Sequence, residues 1–233
     1  MRIDLIIFDN DGVLIDSEII WHQFCAAEMT RLGYPMTIEQ SLKLFSAISH
    51  EKTVAEILKD EFGSSEIGLD FSRIGHETEA NYPTLLKPVY NIQQVLDFLG
   101  SKKINRCVAS NGDFAYIKNS LQITGLIKYF DDESIFGVQG KLRRKPEPDV
   151  FLQAAKKFAV SPDHCLVIED HALGIKAAKA AKMKVIGFLG ATHAQSIEHR
   201  NWIENSEPTM IVNNGSELLE IIKKKMGCET DLR

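Results

Sequence analysis

An acid pair follows the first apolar segment of the 233-residue chain. Asp9 and Asp11 come directly after the apolar run of residues 3–8, and Gly12, which permits a sharp turn, comes next. Two carboxylates at positions i and i+2 suit a division of labour between a nucleophile and a general acid–base group. An EF-hand calcium loop is excluded, because Ile7 stands where that loop needs an acidic residue. Taken alone, the motif is equally compatible with a plain Asp/Gly turn.

A hydroxyl and an amide follow a second apolar run, residues 106–109. Ser110, Asn111 and Gly112 lead into a predicted helix, where a hydroxyl and backbone N–H groups can bind a phosphate. The alternative is that Ser110 or Asn111 merely caps the helix, which is a common role for both residue types.

A lysine that precedes two stiffening prolines forms the third candidate. Lys145 directly precedes Pro146, and Pro148 opens the next predicted helix. A fixed ammonium group suits a phosphoryl group as a point-charge partner. We expect the neighbouring Arg143 and Arg144 to be surface charges.

A second acid pair, Glu169 and Asp170, directly follows the apolar run of residues 165–168. Carboxylate oxygens at a strand end are ligands for a hard cation such as Mg²⁺. Gly174 in the following helix would allow close packing. The alternative is that Asp170 only caps that helix.

Short apolar runs alternate with helical stretches along most of the chain. The predicted strands are residues 3–8, 106–109, 165–168, 184–188 and 209–212, and the predicted helices are residues 92–102, 114–121, 148–158, 172–181 and 217–225. This order indicates an α/β fold with a doubly wound, mostly parallel sheet. In such sheets ligands bind beyond the carboxyl ends of the strands, so we expect the four motifs to form one site.

Residues 17–86 interrupt this alternation with helical periods and no strand between them. We therefore predict a core of residues 1–16 plus 87–233 and a smaller helical domain of residues 17–86. The junctions near Asp16 and Lys87 are expected to act as hinges.

Composition restricts the classes of partner. The net charge of −5 argues against a nucleic-acid or anionic membrane surface, and no run of about 18 apolar residues could span a bilayer. We expect no signal peptide before the first strand, and the four cysteines lack metal-ligand spacing. We expect reduced core thiols at Cys107 and Cys165, and a soluble, cytoplasmic protein with no nucleic-acid, membrane or obligate protein partner.

Four motifs, FDNDGVLIDSE, VASNG, RKPEPDVF and IEDHALGIKAA, resemble in order and spacing those of the haloacid dehalogenase superfamily of phosphotransferases. The chain is most similar to the β-phosphoglucomutase-like phosphatases, which include enzymes acting on sugar phosphates or 6-phosphogluconate. The resemblance implies a Rossmann-like core and identifies the helical insertion as a mobile cap domain.

The resemblance also implies roles for the reacting groups. Asp9 would attack phosphorus, and Asp11 would protonate the leaving alkoxide and then deprotonate the water that hydrolyses the aspartyl phosphate. Lys145 would neutralise the nucleophile and the transferred group, while Ser110 and Asn111 would contact the phosphoryl oxygens.

By the same resemblance, Mg²⁺ would be held by Asp9, the Asp11 carbonyl and Asp170, with Glu169 binding directly or through water. Cations facing the phosphoryl group and the nucleophile would offset the charge that gathers there.

The presence of Asp11 favours a phosphatase over a dehalogenase. Dehalogenases resemble this chain but lack the second acid, since displacement of a halide has no leaving group to protonate. Cation-transporting ATPases have a motif similar to DKTGT at this point. They are excluded because this chain reads DNDG and has no membrane span. A sugar-phosphate mutase remains the main alternative, although His50 stands where mutases have an arginine suited to a second phosphate. A non-catalytic phosphometabolite-binding protein is a remote alternative, since no motif is disabled.

Four residues of the helical domain are candidate substrate contacts: Glu18, His22, Ser49 and His50. For Glu18 the alternative is an acid that the helix dipole favours in a first turn. For His22 and His50 the alternative is a surface or core-edge histidine. We expect Trp21 and Phe24 to belong to the core of this domain.

Overall fold

The computed structural model describes residues 2–45, 54–64 and 67–227. The chain divides into two compact units. The α/β unit comprises Met1–Asp16 and Lys87–Arg233, and the helical unit comprises Ser17–Leu86.

The α/β unit is built on a parallel sheet. Its strands are β1 (Leu5–Phe8), β2 (Asn105–Ala109), β3 (Ile135–Phe136), β4 (Cys165–Glu169), β5 (Lys184–Phe188) and β6 (Met210–Val212). They lie in the order β3-β2-β1-β4-β5-β6, and every neighbouring pair is parallel. Because parallel crossovers are right-handed, the reversal of direction at β1 puts helices on both faces of the sheet. The predicted doubly wound α/β fold is confirmed.

The helices occupy the segments between the strands and most of the helical unit. They are α1 (Glu18–Arg31), α2 (Ile38–Phe45), α3 (Val54–Phe62), α4 (Phe71–Leu85), α5 (Ile92–Ser101), α6 (Phe114–Ile123), α7 (Asp149–Lys157), α8 (Ala172–Ala180), α9 (Ile197–Asn205) and α10 (Gly215–Lys225). Sequence patterning missed β3 and α9. The two residues of β3 are too few to show a period, and α9 is mostly polar with only two buried residues.

Strand β1 lies at the centre of the sheet and is completely buried, as are Cys107 on β2 and Cys165 on β4. A strand covered on both faces by helices is expected to be apolar throughout, which explains the run LIIF. The buried, unpaired state predicted for these two cysteines is confirmed. Among the described residues, no helix combines the length and apolar character needed to cross a membrane.

The helical unit has its own apolar core. Trp21 stacks on Phe71 with the ring centroids 5.7 Å apart, and Phe24 packs against the same core, as expected for both aromatic residues. The buried members of this core are Cys25, Met29, Phe45, Ile57, Leu58, Ile67 and Ile74. The unit therefore buries enough apolar surface to form a compact body.

Candidate active site

The turn after β1 brings the first acid pair to the carboxyl edge of the sheet. The Asp9 N–H donates to the Ile168 carbonyl at 3.0 Å, which extends the pairing of β1 with β4 by one residue. Gly12 has a φ of 75°, so the sharp turn predicted for this glycine is confirmed. A Cβ at Gly12 would lie 1.8 Å from the Asp170 carboxylate, so this position excludes a side chain on two grounds.

The loop after β2 is arranged differently from a simple helix cap. Asp113, not Ser110 or Asn111, caps α6, because its carboxylate accepts the Tyr116 N–H at 2.8 Å. Asn111 instead accepts the backbone N–H of Lys145 at 2.8 Å and thereby fastens the lysine loop to the end of β2. Ser110 is buried directly after the carboxyl end of β2.

Lys145 is buried between the two acid pairs. Its ammonium donates to Asp9 Oδ1 at 2.5 Å, to Glu169 Oε1 at 2.7 Å and to the Ala109 carbonyl at 2.9 Å. The same nitrogen lies 4.9 Å from the centre of the Phe151 ring. One cation therefore joins β1, β2 and β4 at the carboxyl ends of these strands.

Arg143 and Arg144, by contrast, are exposed. Arg143 forms 2.8 Å ion pairs with Glu147 and Asp149. The prediction that both arginines are surface charges is confirmed.

Burial and mutual repulsion shift the acids of this cluster. Burial, helped by the charges of Glu169 and Asp11, raises the pKa of Asp9 to about 7 despite the attraction of Lys145. Burial also raises the pKa values of Glu169 and Asp170, and the nearby Asp9 and Asp11 raise that of Asp170 further. Burial alone would lower the pKa of Lys145, but the two carboxylates outweigh it and the net shift is upward. The cluster thus holds more acids than its one ammonium neutralises.

This donor set fits a hard divalent cation. Carboxylate oxygens of Asp9, Glu169 and Asp170 all lie within 4.8 Å of one another and are buried. Asp170 does not cap α8, because His171 does so by accepting the Leu173 N–H at 3.2 Å. The Asp170 carboxylate is therefore available as a ligand.

Gly174 makes room for the second acid pair. A Cβ at this position in α8 would lie 1.7 Å from Glu169 Oε1. The close packing expected of this glycine is confirmed, and it is the Glu169 carboxylate that occupies the space.

Two histidines that the sequence analysis missed contact Asp170. His193 Nε2 lies 3.0 Å from Asp170 Oδ2, and His199 Nε2 lies 2.7 Å from the Asp170 carbonyl. The two rings meet edge to face, with centroids 4.9 Å apart. His193 lies in the segment after β5, so the rule that ligands gather at carboxyl strand ends could have identified it.

Tyr116 is a third residue that the sequence analysis missed. Its hydroxyl donates to Asp11 Oδ1 at 2.5 Å, and Asn10 Nδ2 donates to Asp11 Oδ2 at 3.2 Å. Both oxygens of the Asp11 carboxylate therefore have a donor from within the α/β unit.

The candidate substrate contacts of the helical unit are described only in part. Glu18 is the first residue of α1, and His22 is buried, with Nδ1 2.9 Å from Ser41 Oγ. Ser49 and His50 lie outside the described residues. Contact of these four residues with a substrate stays a prediction.

The carboxyl edge of the parallel sheet thus combines two acid pairs, a hydroxyl and a buried lysine, side chains that suit phosphoryl chemistry. Residues 6–188 match the profile of the haloacid dehalogenase-like hydrolase family. The chain belongs to this family, and the resemblance drawn from the four motifs is confirmed.

The relatives of this chain include phosphatases and a mutase. It is 28% identical to the phosphorylated carbohydrates phosphatase of Thermotoga maritima, over 82% of this chain and 86% of that one. It is 26% identical to the 6-phosphogluconate phosphatase of Escherichia coli, over 85% and 88%. It is 29% identical to the β-phosphoglucomutase of Bacillus subtilis, over 78% and 81%.

Among solved structures, a haloacid dehalogenase-like protein from Agrobacterium tumefaciens matches with a TM-score of 0.81 and 29% identity. The match covers 96% of this chain and 99% of that one. The predicted class, an enzyme that hydrolyses phosphoric monoesters, agrees with this family and with the phosphatases named above.

Proposed function

We propose that this protein is a Mg²⁺-dependent phosphatase of a small phosphorylated carbohydrate or sugar acid, such as 6-phosphogluconate, and that Asp9 carries the phosphoryl group. The observation that carries the proposal is the contact of the buried Lys145 ammonium with Asp9 and Glu169 at 2.5 and 2.7 Å. A structural ion pair would need one acid for one base, whereas here several buried acids surround a single ammonium.

In the proposed first step, a carboxylate oxygen of Asp9 attacks phosphorus as the bond to the leaving oxygen breaks. Asp11 gives its proton to the departing alkoxide, which leaves as an alcohol. Lys145 favours the ionised form of Asp9 that attack requires, and Ser110 donates its hydroxyl to a phosphoryl oxygen.

In the second step, Asp11 takes a proton from water as the water oxygen attacks phosphorus. The bond from phosphorus to Asp9 breaks, which restores the carboxylate and releases inorganic phosphate. The carboxylates of Asp9, Glu169 and Asp170, with the Asp11 carbonyl, would hold Mg²⁺, which when bound offsets the negative charge of the phosphoryl oxygens.

The substrate class is inferred from the relatives, two of which are named for dephosphorylating carbohydrates or 6-phosphogluconate. We further propose that the helical unit is a cap that hinges near Asp16 and Lys87 and supplies substrate contacts from Glu18, His22, Ser49 and His50. The cytoplasm is the proposed setting, which the free thiols of Cys25, Cys107 and Cys165 support.

The test is a screen of phosphorylated sugars, sugar acids and nucleotides for phosphate release by the purified protein. We expect stoichiometric release from one or a few sugar phosphates or phosphosugar acids with Mg²⁺, and none with excess EDTA or in Asp9→Asn. Full activity in EDTA or in Asp9→Asn would contradict the mechanism, and exclusive activity on nucleotides would contradict the substrate class.

A sugar-phosphate mutase is the second candidate, because the chain is also 29% identical to a β-phosphoglucomutase. A mutase would convert a hexose 1-phosphate to the 6-phosphate without stoichiometric release of inorganic phosphate. Phosphorus NMR of the same reaction mixtures separates the two activities, since it follows both sugar phosphates and free phosphate.

A further inference from the structure

A residue of helix α6, about a hundred positions later in the chain, contacts the side chain of Asp11. The Tyr116 hydroxyl contacts Asp11 Oδ1 at 2.5 Å, a separation of 105 residues in sequence. Asn10, the neighbour of Asp11, holds the other oxygen at 3.2 Å. The carboxyl plane of Asp11 is therefore set by one local and one distant donor.

The backbone around Tyr116 is shaped to bring its ring to this position. A Cβ at Gly112 would lie 2.7 Å from Tyr116 Cδ1 and 3.3 Å from Cε1, so the ring packs directly on the glycine. Gly112 does not have a positive φ, so its missing side chain serves space and not backbone conformation. The Asp113 cap fixes the Tyr116 backbone by accepting its N–H at 2.8 Å.

We propose that Tyr116 is a positioning residue for Asp11, an inference that rests on the acid–base role proposed for Asp11 above. A carboxylic acid that carries its proton on Oδ2 still accepts at Oδ1, so the Tyr116 hydroxyl can donate to Oδ1 in both protonation states and leave the proton for the alkoxide. Tyr116 keeps its own proton throughout; only Asp11 gives a proton to the alkoxide and later takes one from water. The contact thus holds Asp11 in one orientation in both states.

This role makes the effect of Tyr116→Phe depend on the leaving group. An alkoxide needs a proton to leave, whereas 4-nitrophenolate does not, so only the former depends on a well-placed acid. We expect phosphoryl transfer from an alkyl or sugar phosphate to slow about tenfold to a hundredfold in Tyr116→Phe, part of the full contribution of a general acid. Release of 4-nitrophenolate in the first turnover should change by less than about threefold, a small part of that contribution.

Two further variants separate positioning from packing. Gly112→Ala places a methyl group where the Tyr116 ring lies and should reproduce the leaving-group dependence by displacing the ring. Tyr129→Phe is the matched control, because the Tyr129 hydroxyl makes a similar 2.7 Å contact with Asp97 on the exposed surface. It should leave both substrates unaffected.

The experiment measures first-turnover rates for a series of phosphate esters of graded leaving-group basicity in wild type, Tyr116→Phe, Gly112→Ala, Asp11→Asn, the Tyr116→Phe/Asp11→Asn double variant and the Tyr129→Phe control. We expect a steeper dependence on leaving-group basicity in every variant except the control, and no further loss in the double variant relative to Asp11→Asn. If Asp11→Asn leaves the dependence unchanged, the acid–base role of Asp11 itself is wrong. If Asp11→Asn steepens it but Tyr116→Phe slows all esters equally or none, the positioning role alone is overturned.

Discussion

Replacement of Lys145 by methionine tests how the site balances its charges. Methionine keeps most of the side-chain length but removes the ammonium that contacts Asp9 and Glu169. The metal-free variant must bury these acids without their shared cation. We therefore expect a large fall in the free energy of unfolding of metal-free protein.

The size of the effect follows from the distances of the Lys145 ammonium to the Asp9 and Glu169 carboxylates and from proton uptake. At 2.5 and 2.7 Å each attraction is about 6 kcal/mol for an effective dielectric constant of about 20. Most of this offsets the cost of burying the charges, so removal of one partner is expected to cost about 3–5 kcal/mol. Protonation limits this cost, because the variant can take up a proton at Asp9 or Glu169 and need not bury two unpaired carboxylates.

The same proton uptake gives a pH dependence. A carboxyl with a raised pKa in the folded state favours folding below its unfolded pKa, and that contribution is lost as the pH rises toward the folded value. For Asp9 in the wild type this range runs from the ordinary 3.8 to about 7, and loss of the Lys145 charge raises its upper end. At about pH 5.5 these carboxyls take up a proton more readily than at about pH 7.5, so the loss in Lys145→Met should shrink on acidification.

The assay is urea denaturation in EDTA, followed by circular dichroism at both pH values. Lys157→Met is the matched control, since Lys157 makes a 2.8 Å pair with Glu133 in which both side chains are largely exposed, and it should cost less than about 1 kcal/mol. A loss in Lys145→Met no larger than in this control, or one that grows as the pH falls, would refute the reasoning.

Three further predictions concern particular contacts and buried groups of the fold and site. His193→Ala should weaken Mg²⁺ binding about 10- to 100-fold in calorimetry, because the ring contacts the Asp170 carboxylate; unchanged affinity would exclude that role. Gly174→Ala should lower the free energy of unfolding by about 1–3 kcal/mol through overlap with a buried carboxylate. Gly75→Ala, in open space within α4, should instead raise the free energy of unfolding by about 0.5–1 kcal/mol. Equal changes for Gly174→Ala and Gly75→Ala in urea denaturation would contradict a packing role for Gly174. Burial raises the pKa values of the three buried thiols, Cys25, Cys107 and Cys165. In a Cys228→Ser background these thiols should therefore resist iodoacetamide until the protein unfolds. Rapid labelling of the folded protein would contradict this.

Sequence patterning predicted the parts of the fold that depend on local signals. Strands β1, β2 and β4 contain the apolar runs LIIF, CVA and CLVI, each followed by a polar residue, and the positions of these runs follow from burial on both faces. Strand β3 has only two residues, and its place at the sheet edge depends on pairing with β2. No local pattern records such a pairing.

The site divides in the same way. Asp9, Lys145 and the second acid pair could be predicted because each lies in a motif at a strand end or directly before stiffening prolines. Tyr116 and His199 lie on helices, and their contacts with Asp11 and Asp170 span 105 and 29 residues, so only the folded chain brings them together. The residues considered as helix caps lie one to three positions before the observed caps, which are Asp113 and His171.

The central claim is that Asp9 carries the phosphoryl group, and chemical trapping tests it most directly. Protein quenched during turnover and treated with borohydride should contain homoserine at position 9, since an acyl phosphate is reduced whereas a free carboxylate is not. Peptide mass spectrometry would locate the change, with Asp9→Asn as the control that shows none. Conversion at another carboxylate, or turnover with Asp9 never trapped as homoserine, would contradict the account.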